Sequence, residues 1–246
     1  MCGLAPITVR LGIRKLNSTA NKSLEVGKRL TNKFIQTYKS GSQKELTNMK
    51  LNLGCGFNKL DGFVNVDCEP LCKPDVLCDL EKTPWPFEDN QFDLIVANHT
   101  LEHLGETRNS WLGIVKEMYR ILKPGGTIEL IVPHFRHDNF MHDPTHVRVI
   151  TPIGLAMFDQ TRNIQDFESG GQETKLGLFT GVDFEVTQVG YDLTDPWKTA
   201  YEKGEIPRDQ VEFILATQNN VCLQIRMQMR AHKPARGKDW QLPASL

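Results

Sequence analysis

Several features that would assign the chain to a specialised class are missing from its sequence. The 246 residues contain no run of about 18 apolar residues, so no transmembrane helix is predicted. Six cysteines occur without a secretory segment, which argues against a disulfide framework and favours free thiols in a reducing cytosol. The formal charge of −1 gives no overall argument for a nucleic-acid or membrane partner. The remaining composition is that of an ordinary globular, cytoplasmic protein with one large domain.

The charge is unevenly distributed along the chain. Residues 1–48 carry nine lysines and arginines against two acidic residues, a net charge of +7, which leaves −8 for residues 49–246. Apolar residues repeat every four positions between residues 20 and 38, and this favours an accessory helix at the edge of the domain. An organelle transit peptide, or an upstream extension before a start at Met49, are the alternatives. We therefore predict a basic N-terminal extension over 1–48 and a main domain over 49–246.

From residue 50 onward, strand patterns alternate with helical patterns. Strands are predicted at residues 50–53, 63–67, 75–78, 92–97 and 127–132, and a helix at 109–122 precedes the turn Lys123-Pro124-Gly125-Gly126. A short helix is expected after Thr151-Pro152. Two later strand-like runs, at 184–191 and 221–230, flank a segment at 207–217 that could be helix or strand. The alternation predicts an α/β fold with a Rossmann-like, doubly wound, mostly parallel sheet and an antiparallel last strand.

A glycine loop directly follows the first predicted strand. Glycines in the order Gly54-Cys55-Gly56 let the backbone approach a ligand closely, although the pattern is also typical of a plain turn. The second strand ends in Asp67, whose carboxylate can accept hydrogen bonds from both hydroxyls of a ribose. The third ends in Asp79-Leu80, an acid beside an apolar wall that could hold an adenine. Three such strand ends in succession predict a nucleoside site at the carboxyl edge of the sheet.

Four motifs, in order, resemble those of one enzyme family. Residues 51–56 (LNLGCG) resemble methyltransferase motif I, and residues 84–93 (PWPFEDNQFD) resemble the approach to the fourth strand. Residues 99–104 (HTLEHL) are similar to the H-x-L-E-H segment that follows that strand. Residues 117–126 (EMYRILKPGG) are similar to the helix and turn before the fifth strand. The chain thus resembles the class I S-adenosylmethionine (SAM)-dependent methyltransferases with a methyltransferase type 11 core.

The resemblance implies SAM as the cofactor and assigns residues to its parts. The loop Leu53-Gly54-Cys55-Gly56 would line the methionine portion, and Asp67 would hold the ribose. Asp79-Leu80 would bind the adenine, while Asn98 and His99 would lie on the sulfonium side.

Two departures from the family pattern concern this corner of the site. The family often has an acid two residues before the first glycine, but this chain has Asn52, so backbone carbonyls must help to recognise the amino group of SAM. Only ten residues separate Gly56 from Asp67, whereas a crossover between parallel strands needs about a dozen or more. We therefore expect the first helix to be short or reduced to a loop.

Histidines are concentrated after the predicted fifth strand, in a substrate-side insertion of about residues 134–180. Because this stretch leaves the carboxyl edge of the sheet, we expect it to overhang the cofactor pocket. One interpretation is an acceptor site with a general base, since histidine has a suitable pKa for removing a proton. His99 and His134 are then the catalytic candidates. The predicted acceptor-binding residues are His137, His142, Asp143, His146 and Arg148.

Two other interpretations of the histidine-rich segment stay open. A metal site could use His137, His142, Asp143 and His146, although their spacing matches no standard zinc pattern. In a purely structural loop, Asp143-Pro144 would form a turn and Arg148 would pair locally. His103 is interpreted as a surface or supporting residue. We assign no metal ligands from the sequence.

Signatures of several methyl-transfer chemistries are missing. An Asn/Asp-Pro-Pro-aromatic tetrapeptide would indicate methylation of an amide or exocyclic amine, but residues 97–100 read ANHT. No Pro-Cys dipeptide supports a cysteine nucleophile, and the C-x3-C at Cys68 lacks the third cysteine of a radical-SAM motif. A metal ion could be coordinated by Cys68, Cys72 and Cys78, but the favoured interpretation is that these are buried or loop thiols without a metal.

We therefore predict methyl transfer from SAM to an oxygen or nitrogen of a small-molecule or saccharide acceptor. Catalysis would come mostly from orientation and desolvation of the two reactants. The alternatives are a non-catalytic SAM-binding or scaffold protein, and a nucleic-acid methyltransferase that uses the basic N-terminal segment as an arm.

Overall fold

The computed structural model describes residues 48–241. Apart from Asn48, the predicted N-terminal extension lies outside the described residues, and so do the features on which its three interpretations depend. The described chain forms one seven-stranded sheet in the order β3-β2-β1-β4-β5-β7-β6. Its strands are β1 (Lys50–Leu53), β2 (Val64–Asp67), β3 (Val76–Leu77), β4 (Phe92–Asn98), β5 (Leu122–Pro133), β6 (Phe184–Leu193) and β7 (Cys222–Ala231).

The direction of the strands agrees with the predicted fold. Strand β1 pairs in parallel with β2 and β4, β2 pairs in parallel with β3, and β4 pairs in parallel with β5. Strand β7 runs antiparallel to both β5 and β6. The predicted Rossmann-like sheet with an antiparallel last strand is confirmed. Because the strand order reverses between β1 and β4, the carboxyl ends of these two strands border the crevice where such sheets bind ligands.

The hydrophobic core lies on one face of the sheet. The register places Leu51 beside Ile95 and Leu53 beside Ala97, and it places Ala97 beside Leu130. Paired residues point to the same face, and all five of these side chains are at most 1% exposed. The buried stripe of the long helix after β4 belongs to the same apolar cluster, which makes the strand ends a rigid support for the site.

Helices cover the connections from β4 onward. Within residues 48–241 they are α1 (Arg108–Ile121), α2 (Asp138–Met141), α3 (Pro152–Ala156), α4 (Gln160–Glu168), α5 (Leu176–Thr180), α6 (Trp197–Glu202) and α7 (Arg208–Thr217), with 3-10 helices at Pro70–Cys72 and Leu101–His103. The helix predicted after Thr151-Pro152 is confirmed as α3, where Thr151 accepts a hydrogen bond from the Gly154 amide. The undecided segment at 207–217 contains helix α7.

Helix α1 has a clear N-terminal cap and a buried face, but the turn predicted after it is wrong. Thr107 caps the helix by accepting from the Ser110 amide, and its buried face includes Trp111 and Met118. The predicted Lys-Pro-Gly-Gly turn is instead the start of β5, which begins at Leu122 directly after the helix. Proline disfavours helical backbone at the residue before it. A register shift against β4 accommodates the abrupt change.

Short connections join the first strands. Residues 54–63, between β1 and β2, contain turns and no helix, which confirms the expected loss of the first helix. The β2–β3 connection contains only the 3-10 helix Pro70–Cys72, and residues 78–91 lead to β4 without a helix. In the part of the chain that the structure describes, no helix is long and apolar enough to cross a membrane.

Candidate functional site

The glycine loop packs closely against the segment that follows β4. Gly54 has a φ of +61°, and a Cβ placed on it would lie 2.4 Å from the Cγ2 atom of Thr100. The Thr100 hydroxyl donates to the Leu53 carbonyl at 3.1 Å, so Thr100 also holds the end of β1. Glycine is required here both by the backbone conformation and by the close approach. Neither β1 nor β4 could keep this geometry with a larger residue at position 54.

Asp67 joins the glycine loop to the end of β2. Its Oδ2 atom accepts from the Gly56 amide at 2.7 Å, and Oδ1 accepts from the Glu69 amide at 2.9 Å. A Cβ on Gly56 would meet no atom within 4 Å, so the loop faces open space at this point. The Cys55 amide donates to Val66, and its thiol is buried with a pKa raised by that burial and then by Asp67. The Cys55 thiol is therefore not available to a ligand.

Asp79 and Leu80 follow β3 at the same edge of the sheet. Asp79 accepts from the Glu81 amide at 3.1 Å and lies 3.1 Å from the Lys82 ammonium. Lys82, together with the Glu81 amide, holds the pKa of the Asp79 carboxyl below its usual range. Leu80 is buried, and its carbonyl accepts from the indole of Trp85 at 3.1 Å. The strand end thus presents a carboxylate beside an apolar wall, as predicted.

Asn52 has a structural role that explains why no acid stands at this position. Its buried side-chain amide donates to Asn65 Oδ1 at 2.9 Å and to the Asn58 carbonyl at 3.2 Å. The Asn65 oxygen also accepts from the Leu60 amide at 2.8 Å. A carboxylate has no donor to offer to these oxygens. The amide pair therefore ties the helix-free β1–β2 connection to the sheet.

His99 stands at the end of β4 in a left-handed conformation with a φ of +51°. Its Nε2 atom lies 2.9 Å from Gln224 Oε1, and Gln224 uses its amide nitrogen on Asp192 at 2.6 Å, so Nε2 must donate to Gln224. Its Nδ1 atom lies 3.4 Å from Glu102 Oε1. Burial by itself lowers the pKa of His99, but Glu102 and the hydrogen bond to Gln224 outweigh it and raise the net pKa. Both ring nitrogens of His99 therefore face oxygen atoms of neighbouring side chains, so His99 is poorly suited to the predicted role of general base.

The second predicted base, His134, is buried directly after β5. Its Nδ1 atom accepts from the Arg136 amide at 3.2 Å. Burial, followed by the nearby Arg136 charge, lowers the pKa of His134. A neutral ring whose Nδ1 is an acceptor carries its proton on Nε2. The free edge of His134 is therefore a hydrogen-bond donor, which also argues against a role as base.

A cavity of about 590 Å³ opens beyond the carboxyl ends of β4 and β5. His99, which belongs to the predicted sulfonium side, forms part of its wall. The other polar walls come from the 3-10 helix after β4 and from the histidine-rich insertion: Glu102, His103, Asn139, His142, Asp143 and His146. The histidine-rich insertion thus lies at the carboxyl ends of β4 and β5, next to His99. Of the predicted acceptor-binding residues, His142, Asp143 and His146 lie on the cavity.

Two predicted acceptor-binding residues lie elsewhere. His137 accepts from the Asn139 amide at 3.0 Å and caps helix α2. Arg148 donates to the Gly105 carbonyl and lies over the ring of Trp111, 4.9 Å from its centroid. Neither side chain forms part of the cavity wall. Their hydrogen bonds and stacking instead hold the backbone of the insertion in place.

The comparisons with known proteins agree with this arrangement of strand ends. Residues 62–130 match the family model described as methyltransferase domain. The match runs from just before β2 into β5 and includes Asp67, Asp79, Asn98 and His99. Residues 62–130 thus match a methyltransferase domain, which agrees with the resemblance to the class I methyltransferases. No curated protein sequence matches the chain significantly.

Several solved structures are similar to this chain at low sequence identity. A SAM-dependent methyltransferase from Archaeoglobus fulgidus superimposes with a TM-score of 0.54 and 14% identity, covering 84% of this chain and 93% of that one. A methyltransferase in complex with the Haloferax volcanii Trm112 methyltransferase activator has a TM-score of 0.48 and 13% identity, over 91% and 99% of the two chains. A Methanosarcina mazei SAM-dependent methyltransferase has a TM-score of 0.42 and 15% identity, over 77% and 94%.

The residues of the methyltransferase domain fit SAM, the cofactor that the family match supports. A loop that faces open space at Gly56 and excludes a side chain at Gly54 leaves backbone groups available to the methionine portion. The part-exposed Asp67 carboxylate is suited to ribose hydroxyls, and Leu80 is an apolar surface for an adenine. The half-buried Asn98 ends β4 beside the cavity residue His99.

Sequence reasoning missed several residues that the methyltransferase domain places at this edge. Thr100, Glu102 and His103 belong to the HTLEHL segment that carried the family resemblance, so a signal was present, but it did not reveal their contacts. Gln224 comes from β7, and its hydrogen bond with His99 joins residues 125 positions apart. No local pattern in the chain predicts such a pair.

Proposed function

We propose that this methyltransferase domain transfers the methyl group of SAM to an oxygen or nitrogen of a small-molecule or saccharide acceptor bound in the 590 Å³ cavity. The observation that carries the proposal is the shared residue His99, which ends the predicted cofactor edge and also forms part of the cavity wall. An acceptor in the cavity would therefore lie next to the predicted sulfonium side. A volume of this size is typical of pockets for small ligands.

The chemistry of the wall favours a neutral or cationic acceptor. Two carboxylates, Glu102 and Asp143, and four imidazoles face the cavity. Among the described residues, no lysine or arginine forms part of this wall. Phosphate groups of a nucleic acid would meet carboxylates without basic partners, whereas hydroxyl or amino groups can donate to them. The wall thus supports a saccharide or small polar molecule over a polyanion.

The proposed mechanism depends on placement rather than on a strong base. Bound SAM supplies an electrophilic methyl group on its sulfonium. The glycine loop and Asp67 would hold one reactant while the cavity holds the other. The loss of entropy then occurs on binding, which lowers the activation barrier of the transfer itself. Because the basic nitrogens of His99 and His134 are engaged, we assign neither residue to removing the acceptor proton. His99 lies on the cavity wall and would instead orient the acceptor.

Binding of SAM by the full chain tests the cofactor part of the proposal. Asp67→Ala should weaken the affinity, measured by isothermal titration calorimetry, by about 1–3 kcal/mol, which corresponds to about 5- to 150-fold. Asp89→Ala is the matched control, because Asp89 is an exposed carboxylate before the amino end of β4 and should leave the affinity unchanged. Equal affinity of the Asp67 variant and the wild type would contradict the assignment of Asp67.

Transfer itself is tested with tritiated SAM and panels of saccharides, phenols and small amines. The proposal expects radiolabel in at least one neutral or cationic acceptor. Tight binding of SAM without transfer to any class would favour the non-catalytic alternative. Transfer to RNA or DNA alone would contradict the proposed acceptor class.

A further inference from the structure

Three side chains that can ligate a metal ion converge on one wall of the acceptor cavity. The potential ligand atoms of Glu102, His103 and His146 all lie within 4.8 Å of one another. We propose that these three residues bind a divalent transition-metal ion, for which Zn²⁺ is a suitable probe. This ligand set differs from the one considered from sequence, with which it shares only His146. Binding of the ion does not depend on the proposed methyl transfer.

Glu102 provides the first independent argument, because its carboxylate is buried without donors. The residue is 1% exposed, and neither carboxylate oxygen has a hydrogen-bond partner among the described residues. The Nδ1 atom of His99 lies 3.4 Å from Oε1 without forming a hydrogen bond to it. An unsatisfied buried carboxylate is costly, and coordination to a metal ion would offset that cost. The orphan oxygens belong to a residue of the cavity wall.

The hydrogen bonds of the two histidines leave their Nε2 lone pairs free. His146 Nδ1 lies 2.8 Å from the Phe140 carbonyl, which can only accept, so Nδ1 carries the proton. His103 Nδ1 lies 2.9 Å from the Thr145 hydroxyl, which donates its own proton to Asp143 at 2.6 Å and therefore accepts from His103. Histidine ligands of metals typically donate their other ring N–H in this way, which fixes the tautomer and the ring orientation.

The backbone brings the third ligand to the other two. Glu102 and His103 are adjacent in the 3-10 helix after β4, whereas His146 is 43 positions after His103. The amides of Val147 and Arg148 both donate to the Glu102 carbonyl, at 2.9 and 3.1 Å. These two bonds hold the His146 loop against the short helix before any ion binds. The site is therefore largely preorganised.

The ligand types indicate the class of ion. Two imidazole nitrogens and one carboxylate oxygen are the protein ligands of His₂Glu zinc sites and of two-histidine, one-carboxylate iron sites. Ligands of a tetrahedral zinc at about 2.1 Å lie about 3.4 Å apart, so the side chains need to close by little more than about 1 Å. His103 and His146 are only partly buried and can rotate to do so. The remaining coordination positions would face the cavity, as in open, reactive metal sites.

The position of the ion suggests a role that does rest on the proposed function. A cation on this wall would bind an oxygen or nitrogen of the acceptor and make its proton more acidic. Solvent water in the cavity could then take up that proton, so that no general base from His99 or His134 would be required. Loss of metal binding and loss of SAM binding are measured separately, so a failure of either proposal can be recognised.

Zinc titration of the full chain, purified and freed of metal with a chelator, tests the site. We expect calorimetry to show one equivalent of Zn²⁺ bound with a micromolar or lower Kd. His103→Ala should raise the Kd by about 100-fold or more, beyond the effect typical of a supporting residue. Glu102→Gln should do the same, and far-UV circular dichroism checks the fold of both variants. Because His103 is partly exposed, its variant remains informative if the buried substitution impairs folding.

His142→Ala is the matched control, since His142 lies on the same cavity but outside the ligand cluster. Its Kd should equal that of the wild type, and SAM affinity should be unchanged in His103→Ala. Co²⁺ should give visible d–d bands without the intense ultraviolet band of thiolate ligation. No Zn²⁺ uptake by the wild type, equal weakening by His142→Ala, or a thiolate band that disappears in Cys68→Ser would each overturn the proposal.

Discussion

Replacing Gly54 with alanine tests the close packing between the glycine loop and the segment after β4. The new Cβ would lie 2.4 Å from Thr100 Cγ2 and 2.5 Å from its Oγ1, in a backbone conformation with φ +61°. The left-handed conformation costs a non-glycine residue about 1–2 kcal/mol. Relief of the overlap requires shifts in a packed region, which typically cost about 1–3 kcal/mol more. Gly54→Ala should therefore lower the free energy of unfolding by about 2–5 kcal/mol.

Gly56→Ala separates the two contributions. Gly56 has a φ of +48°, but a Cβ there would meet no atom within 4 Å, so only the backbone cost of about 1–2 kcal/mol applies. Thr100→Ala supplies the second check, because it removes the two nearest atoms while costing about 0.5–1.5 kcal/mol for the lost hydrogen bond to Leu53. The double variant Gly54→Ala/Thr100→Ala should be more stable than the sum of the single changes predicts.

Urea denaturation followed by circular dichroism measures these differences without any ligand. A coupling of about 1 kcal/mol or more between positions 54 and 100 is expected, as for residues in direct contact. Equal destabilisation by Gly54→Ala and Gly56→Ala, or strictly additive effects in the double variant, would refute the argument. The loop would then tolerate a side chain, and its glycines would be needed only for their conformation.

Three further predictions concern groups away from the cavity. Asp183 is fully buried and paired with Arg236 at 2.8 Å, so Asp183→Asn should destabilise the fold by about 3–5 kcal/mol in urea melts at neutral pH. Although burial raises the pKa of Asp183, hydrogen bonds from Arg236 outweigh it and the net pKa is lowered. Its contribution is thus complete above the unfolded pKa of about 3.9 and is lost as the pH falls through the folded pKa, so below pH 4 the wild type should lose stability more steeply than the variant. Glu117→Gln removes the more buried of the two carboxylates paired with Arg120, 2.7 Å away, and should lower the melting temperature, whereas a melting temperature equal to that of the wild type would contradict this role. Burial raises the pKa of Tyr119 to about 12, so ultraviolet titration should show this tyrosine ionising after the exposed ones, and loss of the late phase in Tyr119→Phe identifies it.

The order of chemical groups along the chain was sufficient to predict the cofactor edge. Parallel strands present their carboxyl ends on one side of a sheet, so the residues after β1, β2 and β4 had to meet once the strands were recognised. The short interval between Gly56 and Asp67 likewise predicted the missing first helix. The Lys-Pro-Gly-Gly segment was misjudged because proline and glycine mark the end of a helix equally well whether a turn or an extended strand follows.

Roles that depend on distant partners could not be predicted. His99 and His134 were plausible bases because of their residue type, but Gln224, Glu102 and the Arg136 amide decide which of their nitrogens are free. His103 was interpreted as a supporting residue because nothing near it in the chain indicates His146.

The sequence by itself determined the α/β architecture, the order of the strand ends and the prediction of SAM as the cofactor. These follow from hydrophobic periodicity and from the residues after each strand, which are local properties of the chain. Tertiary structure alone decided how the histidines are used. Hydrogen bonds from residues 147 and 148 to the Glu102 carbonyl place His146 beside Glu102 and His103, and burial leaves that carboxylate without a donor. Protonation, ligand geometry and desolvation depend on neighbours in space, and the chain places those neighbours tens of residues apart.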